Sequence, residues 1–278
     1  MDIKIYVCHH KDGTIYRNKY FEPIQVGRAL SHKVINGIIG DDTGDNISSK
    51  NREWCELTGL YWIWKNTNHD YVGINHYRRY IIFERDYFNK ISFFDKKIDK
   101  ISCFSKGIEE ICYDHSIVLP PLLDVEDFSS DNVYNHYCEH HYKKDIDVVI
   151  SIVKNKHKDY YDYVIMAMKS KECVFGNLFV MRRDVLDEYC SFLFSVLFSA
   201  ESIIDTTEYD SYQKRVYGFL SERLLYAFLL KKKFYDKNVN IIHVGQVVYL
   251  DAGFVARVVR MVKPKWRKRK KLGLYRNK

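Results

Sequence analysis

Hydrophobic and polar positions alternate from the start of the chain. Ile3, Ile5 and Val7 are separated by Lys4 and Tyr6, the two-residue period of a strand. The strand runs into Cys8-His9-His10-Lys11-Asp12-Gly13, a polar, turn-rich loop, and a second polar loop covers 41–51. Leu57, Leu60, Tyr61 and Trp64 recur at helical spacing and predict a helix from about Arg52 to Asn66. An apolar run at 71–76 predicts a buried strand. Residues 84–114 are charged and show no assignable period. Ile117-Val118-Leu119 reads as a short strand stopped by Pro120 and Pro121. A helical region follows over 131–157, then a strand over Val174–Met181. Asp184 fits the N-cap of an amphipathic helix reaching Ser199, with Leu186, Cys190, Leu193 and Leu197 on one stripe. Asp210 and Gln213 fit a capping box for a helix to about Leu230, with a break at Gly218. Asn240–Leu250 reads as the last strand. No internal repeat is visible, and the alternation of strands and helices predicts one α/β domain.

Composition supports a folded body: 46% of the 278 residues are hydrophobic and 29% are charged. Most of the 23 tyrosines and 16 phenylalanines are expected in the core. The net charge of +8 is unevenly placed. Arg257–Lys278 holds eleven Lys or Arg residues and no carboxylate, so the remainder has 44 − 11 = 33 bases against 36 acids, a net of −3. The domain is therefore drawn as 1–252 and a basic tail as 253–278. In the tail, Phe254, Val255, Val258, Val259 and Val262 share one helical face, with Arg257, Arg260 and Lys263 opposite and Trp266 among further bases. That pattern suits a helix lying in an anionic membrane surface. A nucleic-acid arm and a plain solubilising tail are its rivals, and the apolar stripe makes nucleic acid the unfavoured partner. Seven dispersed cysteines without a C-x-x-C pair argue against a zinc ribbon or a disulfide scaffold. With neither a leader-like start nor an apolar run long enough to span a bilayer, the expectation is a cytoplasmic protein, peripheral on the inner face of the cell membrane.

Candidate chemistry gathers after the second predicted strand, at His76-Tyr77-Arg78-Arg79-Tyr80. Ligands in open α/β sheets bind beyond the carboxyl ends of strands. Two arginines there suit a phosphorylated ligand; surface charges after an edge strand are the plainer alternative. Asp41, Asp42 and Asp45, with Asn46, could bind a cation or sugar hydroxyls, or simply form Asx turns. Asn177 sits among Phe175, Leu178 and Phe179, where a buried amide needs partners. His136, Cys138, His140 and His141 form the densest ligand-type cluster, with a solvated helix face as the default reading.

Several segments together resemble the bacterial capsule and O-antigen glycosyltransferases long classed as a domain of unknown function. They are Pro-Ile-Gln-Val-Gly (23–27), Asp-Asp-Thr-Gly-Asp-Asn-Ile-Ser (41–48), Cys-Glu-Leu-Thr-Gly-Leu-Tyr-Trp-Ile-Trp-Lys-Asn (55–66) and Tyr-Val-Gly-Ile-Asn-His-Tyr-Arg-Arg-Tyr (71–80). Gly-Asn-Leu-Phe-Val-Met (176–181) and Tyr-Gln-Lys-Arg-Val-Tyr-Gly-Phe-Leu-Ser-Glu-Arg-Leu (212–224) complete the set. The resemblance covers about residues 3–250. It implies a GT-A-like fold, with a mixed, mainly parallel sheet flanked by helices, and glycosyl transfer from a nucleotide-sugar donor. The donor would be a UDP-hexose, with UDP-galactofuranose one candidate, and the acceptor a lipid-linked glycan. Donor-binding positions would be His10, Lys11, Asp41, Asp42, Asp45, Asn46, His76, Arg78 and Arg79. Acceptor-binding positions would be Asn177 and His141, and Asp145 also matches the family pattern. Glu222 is the expected catalytic base, with Asp210 as its rival. Where such folds carry Asp-x-Asp for a metal, this chain has His76-Tyr77-Arg78. That departure leaves a divalent metal, Mn²⁺ or Mg²⁺, optional and no cofactor established; His243 stands where some GT-A enzymes carry a metal-binding histidine. A non-catalytic polyanion-binding module and a sugar-phosphate transferase are the alternatives.

Overall fold

The computed structural model describes residues 1–94 and 105–249. The basic tail lies outside the described residues. Strands β1 (Ile3–His9), β2 (Phe21–Gln25) and β3 (Ile39–Gly40) come first, followed by helices α1 (Asn51–Trp54) and α2 (Leu57–Asn66). Next are β4 (Tyr71–His76), β5 (Arg79–Ile82), β6 (Ile91–Phe94), α3 (Ile108–Asp114), β7 (Ile117–Leu119) and β8 (Leu123–Asp124). Three helices follow, α4 (Val133–His140), α5 (Lys143–Lys156) and α6 (Lys158–Lys169). The described chain ends with β9 (Glu172–Cys173), β10 (Phe179–Arg182), α7 (Arg183–Glu201), α8 (Val216–Tyr235), β11 (Ile241–His243) and β12 (Gly245–Tyr249).

The main sheet runs β11-β7-β10-β4-β1-β2-β3, with β5, β12 and β6 branching from β4. Strand β1 is parallel to both β2 and β4, while β10 enters antiparallel between β4 and β7. The fold is therefore the expected mixed, mostly parallel α/β sheet. Both faces of β1 are buried, because helices cover each side of a parallel sheet. Ile3, Ile5 and Val7 join one apolar cluster, with Phe21, Tyr80–Phe83 and Ile108. Tyr6 and Cys8 join the larger cluster beneath α2 and α4–α8.

Five local expectations are corrected. The helix predicted over 52–66 is two helices, interrupted at Cys55, whose φ of 52° and ψ of −131° no helix accommodates. The strand predicted from Val174 begins only at Phe179, so Asn177 lies in the preceding loop. Asp184 is not the N-cap. Arg182 holds that position, and its guanidinium grips the Asp184 carboxylate at 2.7 and 2.8 Å. Helix α8 passes through Gly218 unbroken, and the segment 240–250 splits at Val244 into β11 and β12.

Gly73 marks a close approach of β4 and β10 in the central sheet. A Cβ there would meet Val180 Cγ2 at 2.7 Å and the Phe179 carbonyl oxygen at 2.9 Å. Overpacking of this kind costs about 1–3 kcal/mol. Gly73→Ala is expected to lower the denaturant midpoint accordingly while leaving the cleft described below unaltered; an unchanged midpoint would show that β4 and β10 can separate freely.

Candidate functional site

The carboxyl ends of β1 and β4 open into a cleft of about 870 Å³. Parallel pairing sets this up: Cys8 sits opposite His76 in register, so the residues that follow both strands emerge at one edge. After His76 the chain reverses at once into β5, with His76 paired to Arg79. The reversal presents His76, Tyr77, Arg78 and Arg79 to the cleft, and His10 faces them from β1. Tyr77 packs edge-on to His10 at 5.0 Å and beneath the Arg78 guanidinium at 4.9 Å. The opposite wall comes from α8 and the turn before it: Lys214, Arg215, Phe219 and Glu222. Arg52, Cys55 and Glu56 complete it from the break between α1 and α2. Five cations (Arg52, Arg78, Arg79, Lys214, Arg215) thus face two carboxylates (Glu56, Glu222) among the lining residues.

The break at Cys55 is well supported. Such a backbone conformation costs a non-glycine residue about 1–3 kcal/mol and persists only where surroundings over-determine it. Here the Asn51 amide donates to the Cys55 carbonyl at 2.6 Å and to Thr58 Oγ1 at 2.9 Å. Trp54, fully buried, packs on Tyr217 and Phe198 and donates to Glu201 at 3.0 Å. Arg215 Nε donates to Cys55 Sγ at 3.3 Å, tying the turn before α8 to the same point.

The predicted site residues divide into two groups. His10, His76, Arg78, Arg79 and Glu222 line the cleft. Asn177 is buried just behind it, donating to Glu56 Oε1 at 2.6 Å. His141 stacks on the cleft residue Phe219 at 4.0 Å, and Asp145 accepts from the cleft residue Tyr209 at 2.8 Å. Lys11 is exposed, 5.8 Å from the Tyr77 ring. The acidic loop, by contrast, is not brought to the cleft. Asp41 is fully buried and spends its oxygens on the Gly27 and Arg28 amides and the Ser48 hydroxyl. Asp42 lies 3.6 Å from Arg28, Asp45 accepts from Tyr61, and Asn46 bonds Gly44 and Ser48. Asp210 is exposed and caps the Tyr212 and Gln213 amides at 2.8 and 2.7 Å, outside the cleft lining. Glu56 and Arg215 were not singled out from sequence, and both line the cleft.

Burial governs the charges here. Glu222 is held above the ordinary carboxylate range by desolvation, against the pull of Arg223, with Glu56 adding to the rise. Both its oxygens are engaged: Oε1 accepts from the Gly176 amide and Oε2 from Arg223 Nη1, each at 2.7 Å. His76 falls to about 4 by desolvation, and His9 likewise. His76 Nε2 and both ring nitrogens of His9 are buried with no hydrogen-bond partner among the described residues. His10, at the rim, is also lowered, first by desolvation and then by Lys11 and Arg78.

The donor set at the expected Asp-x-Asp place does not fit a metal. Tyr77 and Arg78 offer no carboxylate, and adjacent guanidinium groups repel a cation. His243 is bonded through Nδ1 to the Pro120 carbonyl oxygen at 2.8 Å, and His136 and His140 stack on each other at 4.6 Å. Among the described residues no three His, Cys, Asp or Glu side chains converge as a metal-ligand group.

Fold and cleft together define a glycosyltransferase-like α/β protein. The solved structure titled "WbbM bifunctional glycosytransferase apo structure" matches with a TM-score of 0.82 and 31% identity, over 90% of this chain and 46% of that one. The chain therefore spans about half the length of that structure. The family model described as "Domain of unknown function (DUF4422)" matches residues 4–233, and the chain belongs to this family. No curated protein matches it.

The buried His9 and the half-buried His76, His136 and His141 are expected to make the fold sensitive to acid. His9, His76 and His141 are lowered to about 4 and His136 to about 3, in each case first by desolvation. The unfolded chain takes up protons near pH 6.5, which the fold refuses until pH 3 to 4. Stability is thus full above pH 6.5 and is lost as pH falls through that window. Glu222 and Asp145, both raised, work in the opposite direction, but four histidines outnumber them. The melting temperature is expected to drop by at least about 5 °C between pH 7 and pH 5. A flat profile would mean these rings are solvated.

Proposed function

We propose that the cleft binds a nucleotide-sugar donor and that the protein transfers its glycosyl group to a lipid-linked glycan in capsule or O-antigen synthesis. The observation that carries the reading is the set of guanidinium groups, Arg78, Arg79 and Arg215, facing carboxylates across one cleft at the strand ends. A nucleoside diphosphate leaves with growing negative charge. An arginine stays protonated at any working pH and stabilises that charge without reorganising. His10 and Tyr77, at the rim, suit the nucleotide end. A UDP-hexose, including UDP-galactofuranose, is the donor class proposed from the family resemblance. In this reading arginines supply charge that a Mn²⁺ or Mg²⁺ ion supplies in other transferases. The amphipathic basic stretch at 253–278 would carry the domain to the inner face of the cell membrane, where a lipid-linked acceptor resides.

Calorimetry with UDP, with and without Mn²⁺, tests the donor site. Saturable binding that survives chelator is expected. Arg79→Ala should weaken UDP binding and lower UDP release from a UDP-hexose by about 100-fold, with the melting temperature unchanged. Undiminished binding and turnover in that variant would remove the proposed role. Deleting 253–278 should abolish sedimentation with anionic vesicles while leaving UDP affinity intact. Vesicle binding by the truncated protein would place the membrane contact elsewhere.

A further inference from the structure

We propose that Glu56 is the general base of the transfer, held in position by Asn177; the inference rests on the glycosyl-transfer reading above. A base needs an oxygen that faces the substrate and is not already committed. Glu222 is the less free of the two carboxylates, because Gly176 and the buried Arg223 each hold one of its oxygens at 2.7 Å. Glu56 lines the same cleft, and the interruption of the helix at Cys55 turns it there. Its Oε1 accepts from Asn177 Nδ2 at 2.6 Å, and its Oε2 has no hydrogen-bond partner among the described residues.

Asn177 has the features of an orienting group. It is 1% exposed, and its φ of 51° is a left-handed conformation uncommon outside glycine. The amide nitrogen also lies 3.4 Å from the Gly218 carbonyl, so both its neighbours are acceptors and the amide can sit only one way round. Ser221 Oγ approaches Asn177 Oδ1 at 3.1 Å and closes the arrangement. A carboxylate fixed through one oxygen, with the other left for substrate, is the geometry of an oriented base.

Charged and titratable groups face Glu56 from every side of the cleft. Arg215 approaches from the turn before α8, His10 from β1 and His76 from β4. Cys8, Cys55, Tyr189 and Glu222 are the remaining titratable neighbours. The two imidazoles are lowered by desolvation, so neither adds a positive charge beside Glu56 at pH 7.

The step balances as a single displacement. Glu56 Oε2 takes the proton of the acceptor hydroxyl. The acceptor oxygen's electron pair forms the new bond to the donor's anomeric carbon. The bond from that carbon to the phosphate oxygen breaks, and its electron pair departs on the nucleoside diphosphate towards Arg78 and Arg79. The proton leaves Glu56 to solvent with product release, and the anomeric configuration inverts.

The experiment uses the full chain, with UDP as binding probe and UDP-galactose and UDP-galactofuranose as donors, water serving as acceptor. In Glu56→Gln, UDP affinity should stay within about twofold while UDP release falls at least about 100-fold and the acid limb of its pH profile disappears. The first-formed free sugar, followed by NMR, should be inverted. Asn177→Gly removes the amide at a position whose backbone glycine accepts. It should move the acid limb to higher pH, since a carboxylate that loses a donor is harder to ionise. A merely structural Asn177 would lower the melting temperature and leave the limb in place, which would overturn the positioning role. A Glu56→Gln rate within about threefold of wild type, a surviving acid limb, or a retained configuration overturns the base assignment alone. Wild-type protein that binds no UDP, or releases none from either donor, overturns the glycosyl-transfer reading and this inference together.

Discussion

Two consecutive left-handed residues, Gly176 and Asn177, hold the charges of the cleft in place. Their φ values are 93° and 51°. Gly176 gives its amide to Glu222, and Asn177 gives its side chain to Glu56. The missing Cβ at 176 also makes room for Arg79, whose Nη1 would lie 2.9 Å from one. A single loop therefore sets two carboxylates and one guanidinium. A backbone forced out of its preferred region survives when its surroundings outweigh the strain. Here the outweighing contacts are charge-assisted hydrogen bonds in a partly desolvated site, where such bonds are strong. The loop follows directly on β9, which belongs to the small two-stranded β8-β9 sheet, and leads into β10 of the main sheet, so a strand fixes each of its ends.

Support for that loop extends into the core. Arg223 is 1% exposed, yet it carries a charge that burial alone would make costly. It is compensated at its two terminal nitrogens, while its Nε is buried with no hydrogen-bond partner among the described residues. Nη1 donates to Glu222 and to the Phe219 carbonyl, Nη2 sits 3.2 Å from His136 Nδ1, and the guanidinium plane lies over Tyr137 and Phe175. Because His136 is kept neutral by desolvation, its ring nitrogen can accept from Arg223 instead of repelling it. The histidine-rich helix α4, whose default reading by sequence was a solvated face, is thereby one wall of an arginine cage.

What the sequence revealed followed from periodicity. Strands β1, β4 and β7 and helix α7 were legible because each buries a regular stripe. The arginines after β4 were legible because a charged cluster that ends an apolar run marks the open edge of a parallel sheet. Glu56 was hidden by the same rule. The spacing of Leu57, Leu60, Tyr61 and Trp64 continues smoothly back through it, and Cys55 is no residue that announces a break. Its partner Asn177 is 121 positions away, and Arg215, which bonds Cys55, lies 160 positions from it. The need of Asn177 for hydrogen-bond partners could be inferred from its apolar neighbours, but not which groups would meet it. The acidic loop misled in the opposite sense. Three carboxylates in a polar stretch look available to solvent or ligand, yet Asp41 is a buried clasp for backbone amides, a role its sequence neighbours do not reveal.

Charge in this protein is separated by purpose and by place. The basic excess of the whole chain lies in the last 22 residues, while the rest is mildly acidic. The cleft is nonetheless lined by more cations than anions, so its positive character is a local construction of the fold and not a consequence of the pI. Local cations act at short range, where a desolvated wall lets them act on a diphosphate with little screening. The same field would weaken a carboxylate base by favouring its ionised form. Glu222 and Glu56 both line the cleft and differ in their bonds: Glu222 is held at both oxygens and raised by desolvation, whereas Glu56 is tethered through a single oxygen. The second arrangement leaves one carboxylate oxygen with no partner among the described residues, where an incoming hydroxyl could reach it.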